Sequence, residues 1–256
     1  LAQWFSGHEQ MDSAIFYAAQ SRDICLISKD KKCLALAYEE LETIHKYQAE
    51  YHMSMENNFA ALLIYETLGD QAGIATCYTR LCDLLYYENN YQGGIDYCNK
   101  AIAIQSGLEL PKDLALSYRY RADNELQLET YDVALISINT AIDILKEAGA
   151  TELELRGYIN TRGNIYKFME RFDEALAEYR ACYHLTKAAN RPESELIASL
   201  GNIGHVYTLQ GKEGSAIPYT LEAIELIERS GNETNLWENY MHLSGQYEAI
   251  GDLKNA

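Results

Sequence analysis

The chain has 256 residues, 48% of them hydrophobic, enough to bury an extended core. Its 21 basic residues stand against 38 acidic ones, and the net charge of −17 argues against nucleic acid and anionic membrane as direct partners. The longest uninterrupted apolar run, residues 59–65, is far too short to span a membrane.

In chain order the predicted elements are all helices. Residues 1–28 hold the end of one helix, a turn at 7–10 and a helix through 11–27, and 28–32 (SKDKK) form a polar connector. Helix pairs then follow at 33–47 with 53–68, 72–87 with 92–105, 112–128 with 131–148, 152–169 with 173–189, and 193–210 with 215–229. Residues 235–250 open a further unit, giving about twelve helices in consecutive antiparallel pairs. Gly69, Gly107, Gly149, Asn190 and Gly231 stand where second helices end, as left-handed caps should. Pro218, three residues after Ser215, fits the first turn of its helix, where a missing N–H costs nothing.

The pairs repeat. Ala14, Ser54, Gly94, Ala134, Ala175, Ala216 and Ala256 are spaced 40, 40, 40, 41, 41 and 40 residues apart. Seven residues later a second small column runs Ser21, Ala61, Ala101, Ala141, Cys182 and Ala223. Gly163 and Gly204 are small where paired helices should meet, and are expected against Ala175 and Ala216. Tyrosines fill fixed phases, Tyr38, Tyr78, Tyr118 and Tyr240 at one and Tyr166, Tyr207 and Tyr247 at another. Most of the 21 tyrosines are expected to pack in the strip between neighbours. One solenoid of about six units over 1–256, interrupted at both ends, is the expected organisation.

Residues 160–184, NTRGNIYKFMERFDEALAEYRACYH, carry a small residue, a Tyr, an aromatic and two small residues seven apart, in the order of the tetratricopeptide repeat. The chain resembles that family along its whole length, with about six residues more per unit than the usual period of about 34. The resemblance implies an all-α, right-handed α-solenoid of stacked antiparallel helix pairs. It also implies a groove lined by the first helices. Its inward ladder is Thr43, Asp83, Asp123, Asn164 and His205; a second runs Glu39, Thr79, Arg119, Asn160 and Gly201, and a third includes Lys46, Tyr86 and Lys167. Asn and Asp can bind the main chain of an extended peptide with little demand on its sequence. Asn160, Asn164 and Lys167 resemble, in one repeat, the clamp by which chaperone-tail domains of this family hold a terminal carboxylate, whereas Asp83 and Asp123 would repel one.

Departures from the repeat add candidates. Arg121 and Arg162 replace the Leu or Ile of other first helices (Leu41, Leu81, Ile203, Leu243), and Glu125 stands where Tyr166 and Tyr207 do. Arg121 and Glu125 are four apart on one helix face and can pair, and ionised groups in an apolar strip need such pairing. Either a local salt bridge or a polar pocket follows.

Catalytic signatures are missing: no His-Glu-x-x-His, no phosphate loop followed by Lys-Ser/Thr, no Gly-x-Ser-x-Gly. The six cysteines include no Cys-x-x-Cys pair, so neither zinc nor a redox motif is expected, and six free thiols would suit a reducing compartment such as the cytoplasm. No metal or cofactor is expected. The reading is a non-enzymatic module for a neutral or basic peptide or protein. It would be the sensory or scaffolding part of a larger bacterial signalling protein, fused to an effector, because the connector LGDQAGIA resembles those of long-repeat bacterial arrays. The alternative is a peptide-regulated protein resembling the Rap phosphatases of bacilli, acting as phosphatase or anti-activator of a response regulator.

Overall fold

The computed structural model describes residues 8–230 and 236–256, with side chains from residue 13. These form twelve helices and no strand: α1 (His8–Ser28), α2 (Lys31–Tyr47), α3 (Tyr51–Leu68), α4 (Gln71–Tyr87), α5 (Tyr91–Gln105), α6 (Pro111–Gln127), α7 (Tyr131–Glu147), α8 (Glu152–Phe168), α9 (Phe172–Ala188), α10 (Glu193–Leu209), α11 (Glu213–Ser230) and α12 (Leu236–Ala249). Two compact units contain them, Leu1–Ile144 and Leu145–Ala256.

Helix starts are set by local chemistry. Asp30 Oδ1 accepts from the Cys33 amide (3.0 Å), Asp70 Oδ1 from Gly73 (3.1 Å) and Asn90 Oδ1 from Gly93 (3.1 Å), each satisfying an orphan amide of a first turn. Thr151 and Glu154 form a reciprocal capping box, and Pro111 opens α6 at a position that needs no N–H. Within each pair one left-handed residue makes the turn: Ala49, Asn89, Glu129, Glu170, Gly211 and Gly251, with φ of 57–77°. After each, an amide bonds five residues back, as Glu50 N–H to the His45 carbonyl (2.9 Å) and Arg171 N–H to Tyr166 (2.8 Å), which reverses the chain in three residues. That column repeats every 40 or 41 residues, yet only its last two members are glycine, so composition does not reveal it.

From Ser54 to Ala223 both small columns are interior, whereas Ala14 and Ser21 are half-buried and Ala256 is exposed. Ser54, Ala134, Ala175 and Ala216, and Ala61, Ala101, Ala141, Cys182 and Ala223, are all at most 1% exposed. In the first unit Ala61, Leu62, Tyr65, Ile74, Cys77 and Leu81 form a continuous cluster; in the second Ala175, Leu176, Tyr179, Ile203 and Val206 do. Burial at about 25 cal/mol per Å² of apolar surface makes these interfaces, rather than helix propensity, the source of stability.

Several expectations need correction. Gly163 meets Tyr179, one turn beyond Ala175: a Cβ on Gly163 would lie 2.9 Å from the Tyr179 ring and 3.2 Å from Glu178 Cβ. At this level of a pair the facing residue is therefore sixteen on, while nearer the turn closer residues meet, as Glu42 with Ser54 and Glu125 with Ser137. Gly69, Gly149 and Asn190 are left-handed as expected, but Gly107 is not, since the longer connector before Pro111 turns through Ser106 in helical conformation. Gly231 lies outside the described residues. Pro218 falls in the second turn of α11, which begins two residues earlier than expected, so the Gly214 carbonyl lacks its helical donor. The tyrosines are mostly half-buried at helix faces, and among the described residues only Tyr65 and Tyr179 are core.

The six-thiol expectation is also overturned. Cys25–Cys33 joins α1 to α2 and Cys82–Cys98 joins α4 to α5, with Cα atoms 5.6 and 5.3 Å apart. Cys82 and Cys98 hold the same sixteen-residue relation as Gly163 and Tyr179, so the fold itself places them face to face. Cys77 and Cys182 remain free and buried. Burial pushes their thiols up, to about 12 and about 11, which leaves them unreactive. A reducing compartment thus loses its cysteine argument.

Candidate functional site

In the first unit the ladder positions Thr43 and Lys46 of α2 and Thr79 and Asp83 of α4 border a cavity of about 340 Å³, which α6 closes with Asp113, Leu116 and Tyr120. Glu42, Lys46, Arg80, Asp83, Gln105 and Tyr120 are among its lining residues. Asp83 is buried and ion-paired with Lys46. Burial works against the Lys46 charge, but Asp83 and the nearby tyrosine hydroxyls outweigh it and raise the ammonium above its ordinary range. That ammonium stands 5.9 Å from the ring centres of both Tyr87 and Tyr120. Burial, then Asp83, pushes the Tyr120 hydroxyl up to about 12, so it stays a neutral donor.

One wall is ionic. Glu42, only 2% exposed, accepts from Arg80 (2.5 Å), Thr43 Oγ1 (3.1 Å) and Ser54 Oγ (3.2 Å). Arg80 also donates to the Glu39 carbonyl (3.1 Å), tying α4 to α2. Beneath, Thr79, Ser117 and Gln105 close a buried hydrogen-bonded ring at 2.7, 2.8 and 3.2 Å, so the polar floor is satisfied within the chain. Along the same face Arg119 pairs with Asp123 (3.9 Å), and Tyr86 accepts from Gln127 (3.1 Å).

Arg121 and Glu125 turn away from this face toward second helices. Arg121 donates to Asn99 on α5 (3.1 Å) and Ser137 on α7 (3.2 Å), stands 3.3 Å from Glu125, and lies over the Tyr118 ring. Ser137 donates to Glu125 at 2.5 Å. Burial raises the Glu125 carboxyl above its ordinary range, against the pull of Ser137 and Arg121. These two residues close a helix pair.

In the second unit Arg162 does the same, bonding Glu178 of α9 at 2.8 and 2.9 Å. Burial raises Glu178 despite that cation. Asn160 accepts from Asn202 (3.2 Å) and Asn164 from the Tyr179 hydroxyl (2.7 Å), so each amide keeps N–H donors not spent in those bonds. Lys167 is half-buried over the Phe168 ring, and burial lowers its ammonium below the usual range. His205 lines a second cavity, about 640 Å³, between α10, α11 and α12, with Asn202, Glu238, His242 and Gln246. Burial, then Lys167 and His242, lowers the His205 imidazole below its ordinary range.

The predicted residues therefore fall into two sets. Asp83, Arg119, Asp123, Asn160, Asn164, Lys167 and His205 lie along first helices as the ladders require, Asn164 also bonding Tyr179 of α9, while Arg121, Glu125 and Arg162 bind second helices. Sequence reading passed over Glu42, Arg80 and Tyr120. Glu42 had a signal: it occupies the column of Cys82, Ala122, Gly163 and Gly204, where a carboxylate is as foreign as Arg121 in its own column. Among the described residues no cluster of three or more His, Cys, Asp or Glu is placed to hold a metal, and no helix is long and apolar enough to cross a membrane.

No protein-family model matches the chain, and no curated protein matches it by sequence. Solved structures do match. BtubC (BKLC) from P. vanneervenii superposes with a TM-score of 0.73 at 16% identity, over 87% of this chain and 92% of that one. A Rap protein complexed with Competence and Sporulation Factor gives 0.71 at 11%, over 98% and 78%. A signal-transduction ATPase from Pyrococcus horikoshii with a tetratricopeptide repeat sensor gives 0.70 at 14%, over 88% of this chain but 35% of that one. The fold is thus of the tetratricopeptide-repeat type.

Proposed function

We propose that the chain is a non-enzymatic module that binds a peptide or protein segment along its first helices. One observation carries this: in each unit some ladder positions, Thr43, Lys46 and Asp83 in the first and Gly201, His205 and Thr208 in the second, border an open cavity, and the other ladder residues continue along the first helices. The contacts would come from Asp83, Arg119 and Asp123 in the first unit and Asn160, Asn164, Lys167 and His205 in the second. Arg121, Glu125 and Arg162 support the helices that carry them. The charge of −17 favours a neutral or basic partner. Selection from a random peptide library, followed by calorimetry of the best synthetic peptide, tests the proposal. Asp123→Ala or Asn160→Ala should weaken binding by more than about 1 kcal/mol. Asn57→Ala, on the exposed face of α3, should leave it unchanged. No selectable peptide, or equal binding to all variants, refutes the proposal.

A second reading, a peptide-regulated protein of the Rap kind, is favoured by a structural likeness that spans nearly the whole chain. Under it, the selected peptide should displace a response-regulator domain bound to the chain; a peptide without effect on such a domain argues for the simple module.

A further inference from the structure

Two successive helix pairs of the second unit treat one position differently. In α8–α9 the Gly163 backbone is covered by Tyr179, which is fully buried, packs with Ile203 and Val206, and donates its hydroxyl to Asn164 (2.7 Å). In α10–α11 the same register sets Gly204 opposite Thr220, and a Cβ on Gly204 would approach nothing closer than Thr220 Oγ1, at 3.7 Å. One helix on, Gln246 takes the place of Val206, and Thr220 donates to its Oε1 at 3.0 Å. The ring is gone, the glycine is kept, and a buried polar pair replaces an apolar one.

What remains is the cavity of about 640 Å³, whose lining includes Gly204, Thr220 and Gln246. Gly201 and Gly245 also line it, and a Cβ on either would have nothing within 4 Å. Glycine weakens a helix interior, so one that persists there commonly marks a close approach by another group. At Gly94 the approaching group is Asn124 and at Gly163 it is Tyr179. At Gly201 and Gly245 no described part of this chain makes that approach.

We propose that this cavity receives a tyrosine side chain from a peptide partner, filling from outside the place that Tyr179 fills from within. The ring lies between the glycine faces of α10 and α12, and its hydroxyl reaches the Thr220–Gln246 pair at the base. His205, at the register position of Asn164, offers a second polar contact. Glu213 and Glu238 on the lining favour a basic residue beside the tyrosine. The inference rests on the reading of the chain as a peptide-binding module and names the chemistry of one of its pockets.

The test uses the whole chain and two probes, Ac-Gly-Tyr-Lys-Gly-amide and its leucine counterpart, titrated by NMR. The tyrosine peptide should bind about tenfold more tightly than the leucine peptide. Thr220→Tyr with Gln246→Val rebuilds the Tyr179–Val206 arrangement inside the chain, and should keep the helical signal and melting temperature while reducing tyrosine-peptide binding at least about tenfold. Should that double variant fail to fold, Gly201→Leu, whose side chain enters open space, should block the probe equally. Equal affinity for the two probes, no binding of the tyrosine probe, or undiminished binding to a folded variant overturns the proposal. Library-selected peptides that respond to Asp123→Ala yet do not compete with the tyrosine probe would overturn it while leaving the broader peptide-binding reading intact.

Discussion

The first-helix faces of the two units share a register and close it by different means. In the first, charge and covalent bonds fill the positions: Glu42 is locked by Arg80, and Cys82 is bonded to Cys98. In the second, the corresponding contact is a tyrosine ring on Gly163 and then, one pair later, a gap at Gly204. The same backbone repeat can thus be sealed by an ion pair, a disulfide or an aromatic ring, or left open. Where it is left open, at Gly204, the helix backbone itself lines a cavity.

The disulfide closure should be the costliest to undo. Removing the Cys82–Cys98 bond alone, by Cys82→Ala with Cys98→Ala, opens a loop of about 16 residues and should lower unfolding free energy by about 3 kcal/mol on the chain-entropy account, read from denaturant midpoints of the two chains without reductant. Thiol titration of the unfolded, unreduced chain should find two reactive thiols; six would dissolve this half of the comparison. Arg80→Ala should cost nearly as much, about 2–3 kcal/mol, because it strands the buried Glu42 carboxylate. A loss below about 0.5 kcal/mol would class the pair with ordinary surface bridges.

Gly163→Val should destabilise by about 2 kcal/mol, since its side chain must displace a ring with no room to yield. Arg121→Leu should cost about 1–2 kcal/mol near neutrality, and the loss should depend on pH. The Glu125 pKa is raised on folding, so the native state takes up its proton first, and stability falls as pH rises through the window above the ordinary carboxylate value. Removing Arg121 widens that window, so the variant's deficit should be smaller at about pH 5 than at about pH 7. Replacing Arg121 by Leu and Glu125 by Tyr together should restore stability or raise it. The smallest effect has the opposite sign: Gly245→Ala fills empty space on α12 and should stabilise by about 0.5–1 kcal/mol. If it destabilises instead, something in the chain already occupies that space.

Helices, pairing and both buried small columns were legible in the sequence because each rests on local chemistry repeated every 40 or 41 residues. A cap, a small residue and an apolar phase mean the same thing in every repeat, so one repeat explains the next. The placement of the ladder residues on first helices was legible for the same reason. What a single position touches across a pair was not. No sequence motif links Cys82 to Cys98; the antiparallel pairing of α4 and α5 through the left-handed turn at Asn89 sets them against each other. The same antiparallel pairing sets Arg121 and Glu125 against Ser137 and Arg162 against Glu178, and leaves Gly204 facing only Thr220. Sequence determined the repeat because periodicity is a local property; tertiary structure decided which closures bond and which stay open, because that depends on the joint volume and charge of residues on different helices.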